Sequence, residues 1–250
     1  MRIVQWTFIA LFMFGGLFLV WQEWSGLNDK PGTKDYVLAL TWMPAFCEGK
    51  PSKTECKSQH SGRFDSDNFS LHGLWPQPFG NFYCGVNDRN EARDKSGKWS
   101  QLPKLEMSKS LRARLAEEMP GYLSNLHRHE WIKHGTCAGG ITPAVYFEIS
   151  LKLMELVNAS QFAAFWRERI GKSVSFKEVK AEFEDVFGNG SGVRLRLNCR
   201  RDGKRNLITE LHISLRGELI KAGQLVQLIH DAKPLQNACK GGVVDPVGYQ

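Results

Sequence analysis

Six cysteines (Cys47, Cys56, Cys84, Cys137, Cys199 and Cys239) all lie downstream of an apolar stretch running from Ile3 to Trp21. Within that stretch only Gln5 and Thr7 are strongly polar, and Arg2 supplies the preceding positive charge. Such a segment is either a signal peptide or a short membrane anchor. The following LVWQEWSG places Trp and Glu where a cleavage site needs small residues, so both readings stay open. Either one carries the rest of the chain out of the cytoplasm. In an oxidising compartment an even cysteine count argues for three disulfides, with fifteen pairings formally open. The absence of a CxxC pair argues against a structural zinc ribbon, and the absence of CxxCH removes covalent haem.

The organisation that follows is a signal peptide or anchor over residues 1–26, a polar linker over 27–35 and one domain over 36–250. A domain of that size buries about 70% of its unfolded surface and needs no metal to build a core. With 42% hydrophobic and 24% charged residues it is not a disordered chain. YVLALTWMP, from Tyr36, reads as a buried strand stopped by Pro44, and residues 45–103 read mostly as loops tied down by cysteines. Within those loops FSLHGLWP, 69–76, is a short strand entering a turn. Helices are expected from a Ser108 cap to about Met119, near 124–135, and over 143–158 after Thr142. Two more, over 160–170 and 175–187, start at serine caps. VRLRLNC (193–199), the turn RDGK and NLITELHISL (206–215) form a hairpin. Without a regular βαβ alternation, the pattern predicts an α+β fold: a central antiparallel sheet flanked by helices and stapled by disulfides. The net charge is +7, and it stays +7 without residues 1–26 because Arg2 and Glu23 cancel. A basic exported domain favours polyanions such as nucleic acid, anionic lipid or polysaccharide.

The stretch HEWIKHGTC, 129–137, admits three readings: a zinc site, acid–base chemistry, or a solvated helix face. Zinc proteases place two histidines four apart, on one face of a helix. Here His129 and His134 are five apart, about 500° around a helix, and point to different faces. Helical spacing of four instead pairs Glu130 with His134, and His129 with Lys133. A carboxylate beside an imidazole raises its basicity, and two cationic groups together can clamp an anion. A second histidine, His72 in FSLHGLWPQ, sits where a side chain can project from a sheet edge into a cleft. Trp75 follows in the turn and can stack on a base or simply fill the core.

These two stretches together resemble the two active-site segments of the ribonuclease T2 family of secreted or periplasmic endoribonucleases, in the same order and separation. YVLALTWMPAFC, NFYCG and the late Cys199 and Cys239 extend the similarity over residues 36–250, and the ending VVDPVGYQ resembles bacterial periplasmic members. The resemblance implies His72 and His134 as the general acid–base pair, with His134 the base and His72 the acid. It implies that Glu130 supports His134 and the phosphoryl oxygens, and that His129 and Lys133 hold the phosphate. Trp75 and Tyr83 fall where the family stacks a base, and Gln77 where some members carry an acidic residue, which leaves base preference weak. The implied disulfides are Cys47–Cys56, Cys84–Cys137 and Cys199–Cys239.

The implied reaction is cleavage of single-stranded RNA through a 2′,3′-cyclic phosphate to 3′-phosphate ends. It needs no metal or cofactor, leaves DNA intact, has an acidic optimum, and is carried out by a periplasmic or secreted monomer. A catalytically silent RNA-binding or signalling protein on the same fold is the alternative, and a basic protein of the membrane surface a third. His60, His127, His212 and His230 read as surface or hydrogen-bonded histidines. Arg194, Arg196, Arg200, Arg201, Lys204 and Arg205 read as a solvated face or an RNA-steering patch. Asn68, Asn158 and Asn189 each begin a glycosylation sequon.

Overall fold

The computed structural model describes residues 34–249. The apolar segment and the linker up to residue 33 lie outside the described residues. The first strand, β1 (Asp35–Thr41), is buried along almost its whole length. It lies between β2 (Ser70–Pro76) and the long β5 (Arg205–Arg216), and both pairings are antiparallel. With β3 (Ser173–Ser175), β4 (Leu195–Asp202) and β6 (Gly241–Val243), a single six-stranded sheet is complete. One correction to the expected antiparallel sheet is β6, which runs parallel to β5. The predicted hairpin is β4–β5, turning at Gly203-Lys204, where Gly203 adopts φ +53°.

Two faces of this sheet do different work. Leu38, Leu40, Leu195, Leu197, Leu211, Ile213 and Leu215 point into the core. There they meet the helices Pro143–Asn158, Gln161–Glu168 and Phe176–Phe187 through Phe147, Phe162, Trp166 and Phe183. The opposite face carries a polar row: Thr41 pairs with Glu210, which pairs with Asn198, and Ala39 pairs with His212, which pairs with Arg196. This alternation is the period-two signature of a strand with unlike faces. The helix Pro143–Asn158 also fixes β2 directly, since the Tyr146 hydroxyl donates to Leu74 O at 2.8 Å and accepts from Leu74 N at 3.1 Å.

The register of β2 breaks at one place. Ala39 pairs with Gly73 and Leu40 with Leu71, which leaves His72 unpaired as a bulge. Strict alternation would put His72 on the core side with Leu74. A bulge re-aims the extra side chain and bends the strand, and here it brings His72 to the same side as Gly73 and Trp75, where the two rings lie 5.3 Å apart.

Helix predictions held where caps and apolar stripes were present. Ser108 accepts from Leu111 N to start Lys109–Glu118, and Thr142 accepts from Val145 N to start Pro143–Asn158. Ser175 and Glu178 form a full capping box on Phe176–Phe187. Ser160, however, makes no cap bond and donates to Val157 O instead. Residues 45–103 contain three helices where loops were expected: Met43–Glu48, Thr54–Lys57 and Asp88–Lys95. Pro44 belongs to the first turn of its helix, where the missing N–H costs nothing. The helix DRNEARDK has no apolar stripe to announce it, and its buried residue is Asp94.

All three implied disulfides are formed, and no cysteine is free. Cys84–Cys137 joins segments 53 residues apart, and beside it Tyr83 N donates to Lys133 O at 2.9 Å. Closing a loop of that length stabilises the fold by about 4 kcal/mol in the chain-entropy view. Replacing Cys84 and Cys137 together with Ser is expected to remove about 2–4 kcal/mol, read from the urea midpoint at unchanged slope.

Candidate active site

Glu130 lies on the helix Leu126–Lys133, with its carboxylate fully buried against Gly73 of the edge strand β2. Its Oε2 accepts from Trp75 Nε1 at 2.8 Å. Its Oε1 lies 3.5 Å from His72 Nε2 and 3.8 Å from His129 Nε2, and has no hydrogen-bond partner among the described residues. The carboxylate occupies the space a side chain at Gly73 would need, since a Cβ there would stand 1.9 Å from Glu130 Oε2. Sequence spacing paired Glu130 with His134; the structure pairs it with His72, His129 and Trp75. The His134 backbone still follows the helix, its N–H donating to Glu130 O at 3.0 Å, but its ring packs on Trp75 and Phe82 while the Glu130 carboxylate is drawn to the Trp75 indole and Gly73.

His72 is therefore flanked by two carboxylates. Its Nδ1 is 2.6 Å from Glu210 Oε1, and its Nε2 faces Glu130. Burial works against a cationic ring, but the charge and hydrogen bond of Glu210, with a further push from Glu130, lift His72 to about 9. For Glu210 burial works the other way, yet His72 and His212 outweigh it and hold the carboxyl well below its ordinary range. His134 is the opposite case. Its ring is buried, packs parallel to Trp75 at 5.4 Å and edge-on to Phe82 at 5.2 Å, and its Nδ1 finds no partner among the described residues. Burial first, then Lys133, His129 and His72, push it down to about 2.

His129 is held from behind. Its Nδ1 lies 2.8 Å from Asp94 Oδ1, Trp99 stacks on its ring at 4.5 Å, and its Nε2 points to Glu130. Asp94 also accepts from the Tyr83 hydroxyl at 2.9 Å, which, after burial, drives that phenol up. Tyr83 adopts φ +58°, an uncommon backbone state for a bulky residue, and is fixed there by Asp94, the Lys133 carbonyl and the adjoining disulfide. The expected side-chain partnership of His129 with Lys133 is absent; the Lys133 ammonium instead lies 5.0 Å from the centre of the Phe82 ring.

Two cavities flank His72 and Trp75. One, about 380 Å³, is lined by Trp75, Gln77, Phe79, Phe82, His134 and Arg196. The other, about 290 Å³, is lined by His72, Glu210, Thr41, Lys53, Trp99 and Ser124. Of the three base-binding candidates, Trp75 and Gln77 line the first cavity, while Tyr83 is turned to Asp94 and its neighbour Phe82 stands in the wall. Trp75 is also the hub of the site, with His72, His134 and His212 all packed around its indole. Among the described residues no three His, Cys, Asp or Glu side chains converge to hold a metal ion.

Sequence reasoning missed Glu210, Asp94 and Trp99, and set His212 aside. Glu210 and His212 were visible as alternate residues of one strand, 210 and 212, but nothing local says that this face meets His72. The basic cluster 194–205 resolves into separate jobs. Arg194 binds the carbonyls of Gly190, His230 and Ala232, and Arg205 pairs with Glu48, Asp202 and Asp245. Arg196 alone of the cluster lines the larger cavity. His127 is buried against Tyr122 and pushed down to about 4, chiefly by burial. Asn158 holds both backbone groups of Phe69, so its amide is committed to the fold rather than to a glycan.

The three disulfides pair as the resemblance implies, and a family model described as "Ribonuclease T2 family" matches residues 33–227. The chain belongs to the ribonuclease T2 family. It is 28% identical over 235 residues to Ribonuclease I of Escherichia coli (strain K12), covering 86% of this chain and 87% of that one. It is 30% identical over 178 residues to Ribonuclease 3 of Arabidopsis thaliana, covering 68% and 72%. The crystal structure of Japanese pear S3-RNase shares the fold, with a TM-score of 0.55 at 16% identity, over 83% of this chain and 98% of that one. This T2 ribonuclease is accordingly an endoribonuclease with an α+β fold.

A methyl group at Gly73 would displace the Glu130 carboxylate without touching the core. Gly73→Ala is expected to lower kcat about a hundred-fold, the scale of a 1 Å misplacement at a reacting centre, with an unchanged circular dichroism spectrum. Activity close to wild type would show that the carboxylate can move freely.

Proposed function

We propose that this T2 ribonuclease cleaves single-stranded RNA by transphosphorylation, with His134 as general base and His72 as general acid. The observation that carries this assignment is the division between the two imidazoles around Trp75. One is dry and flanked by positive charge, so it is neutral and can accept a proton. The other is flanked by two carboxylates, so it holds a proton to give.

His134 takes the proton of the ribose 2′-OH as that oxygen attacks phosphorus. His72 protonates the 5′-oxygen as the P–O5′ bond breaks, leaving a 2′,3′-cyclic phosphate. In the slower second step water attacks the cyclic ester with the roles of the two histidines exchanged, and a 3′-phosphate results. The phosphoryl group sits among His72, His129, Lys133 and Glu130. His129 is oriented for that task by Asp94, and the Oε1 of Glu130 is in place to accept from a protonated imidazole or a substrate hydroxyl. The cavity lined by Trp75 and His134 and the one lined by His72 offer room for the nucleotides on either side of the scissile bond, with Trp75 and Phe82 as stacking surfaces in the first and Trp99 in the second. Gln77 can donate and accept with equal ease, which supports weak base selection. Only ribose carries the nucleophile, so DNA is not cut. The enzyme works as an exported monomer, in the periplasm or outside the cell. No helix among the described residues is long and apolar enough to cross a membrane, and the anchor reading concerns residues outside them.

The test is incubation of purified protein with homopolymer RNA in EDTA, with analysis of the ends formed. Cyclic-phosphate ends are expected, and complete loss of cleavage in EDTA would contradict the mechanism. His72→Ala and His134→Ala are each expected to lower kcat by about 10²–10⁴, the usual range for a general acid or base. Persistent cleavage by the double variant would refute the assignment.

The pH dependence follows from the signs of the two shifts. His134 is in its neutral, active form above about 2, and His72 in its cationic, active form below about 9. The kcat/KM profile of the free enzyme is therefore expected to be flat through neutrality and to fall near pH 9. The pair by itself imposes no acidic optimum; a preference for low pH would have to come from the phosphate-binding groups. A profile still rising at pH 9 would contradict both assignments.

A further inference from the structure

Glu210 belongs to neither active-site segment. It lies on β5, two strands away from His72, and reaches it only because β1 between them presents the small Ala39 and Thr41 on that face. Both of its oxygens are occupied. Oε1 is 2.6 Å from His72 Nδ1, while Oε2 accepts from Asn198 Nδ2 at 2.9 Å and lies 3.1 Å from His212 Nε2. The amide of Asn198 is itself fixed, since its Oδ1 accepts from Arg196 Nε at 3.0 Å. The chain Arg196–Asn198–Glu210–His72 thus runs across three strands of one sheet face and ends on a catalytic ring.

We propose that Glu210 is a positioning residue for His72: its carboxylate accepts the Nδ1 proton, locks the ring orientation and leaves Nε2 as the nitrogen that serves the departing 5′-oxygen. This rests on His72 being the general acid. The proton accounting is complete. The Nε2 proton passes to the 5′-oxygen, which keeps the electron pair of the broken P–O bond. The ring becomes the neutral Nδ1–H tautomer, still bonded to Glu210. Its free Nε2 lone pair is then placed to take a proton from the water that opens the cyclic phosphate. A carboxylate behind a histidine fixes tautomer and orientation in this way without itself gaining a proton.

The charged and titratable groups facing His72 are Glu210 and His212 from β5, Glu130 and Lys133 from the helix 126–133, and His134 beyond its end. Glu210 contributes the largest push toward the cation, so removing its charge leaves burial and Lys133 opposed only by Glu130.

The experiment compares wild type, Glu210→Gln and His72→Ala on a dinucleoside monophosphate and on uridine 3′-(4-nitrophenyl phosphate), whose leaving group needs no proton. For Glu210→Gln the expected result on the dinucleotide is a kcat lower by about ten- to hundred-fold, inside the range of general acid catalysis. KM should stay within about two-fold, and the alkaline limb should move down by about one pH unit or more. Activity on the nitrophenyl ester should be nearly retained. Wild-type kcat and alkaline limb in Glu210→Gln, or an equal loss on both substrates, would overturn the inference. His72→Ala separates this from the underlying reading. Equal loss on both substrates in that variant refutes His72 as the acid, whereas loss confined to the dinucleotide upholds it whatever Glu210→Gln does. Should Glu210→Gln not fold, nitrogen-15 spectra of the wild-type imidazoles decide. A His72 Nδ1 that stays protonated through the alkaline limb supports the proposal, and an Nε2–H tautomer there overturns it.

Discussion

The site is built around a buried carboxylate with one oxygen left without a hydrogen bond from the described residues. Glu130 is buried, and among the described residues only the Trp75 indole donates to its carboxylate. A carboxylate so placed is costly unless cationic or hydrogen-bonding groups surround it. Here His72 and His129 stand on either side of the free oxygen, and the sheet edge opposite has to be bare. Gly73 supplies the bare edge, and the bulge at His72 supplies one of the imidazoles. The two motif segments are thereby complementary in shape as well as chemistry, since a helix carboxylate enters where a strand lacks a side chain.

Rigidity comes from redundancy around that contact. The Cys84–Cys137 bond, the Tyr83-to-Lys133 backbone bond and the Tyr83–Asp94–His129 chain tie the loop after β2 to the helix Leu126–Lys133 and to the turn that follows it. The uncommon backbone state of Tyr83 is held in place by these ties. On the other side, Tyr146 satisfies both backbone groups of Leu74 and seats β2 on the core. A site on such supports loses little freedom when substrate binds, and held geometry is what makes acid–base catalysis effective.

The same surroundings divide two chemically identical side chains. His72 lies between carboxylates and keeps its proton, whereas His134 lies among aromatic rings beside cationic neighbours and gives its proton up. Neither outcome is a property of histidine alone. It is the sheet that delivers Glu210 to one ring and the packing of Trp75 and Phe82 that encloses the other. In the proposed mechanism, packing sets the direction of proton flow.

Much of this was legible in the chain. FSLHGLWPQ and HEWIKHGTC singled out His72, Glu130, His129 and His134, which the fold brings together around Trp75 and Glu130, and the caps at Ser108, Thr142 and Ser175 marked three helix starts. These are local signals, carried by neighbouring residues, and tertiary structure had no reason to overrule them. The pairing of Glu130 with His134 failed because tertiary partners claim both side chains, the Trp75 indole and Gly73 taking the carboxylate and the Trp75 and Phe82 rings taking the imidazole. The helix carrying Asp94 was invisible because its face toward the protein is polar. Glu210 could not be linked to His72 because 138 residues separate them and the link exists only through strand register. The sequence by itself determined which side chains are available for acid–base chemistry, since that depends on residue type. Which partner each one meets, and so which histidine holds a proton, was decided only by the tertiary structure, because charge and burial act through space rather than along the chain.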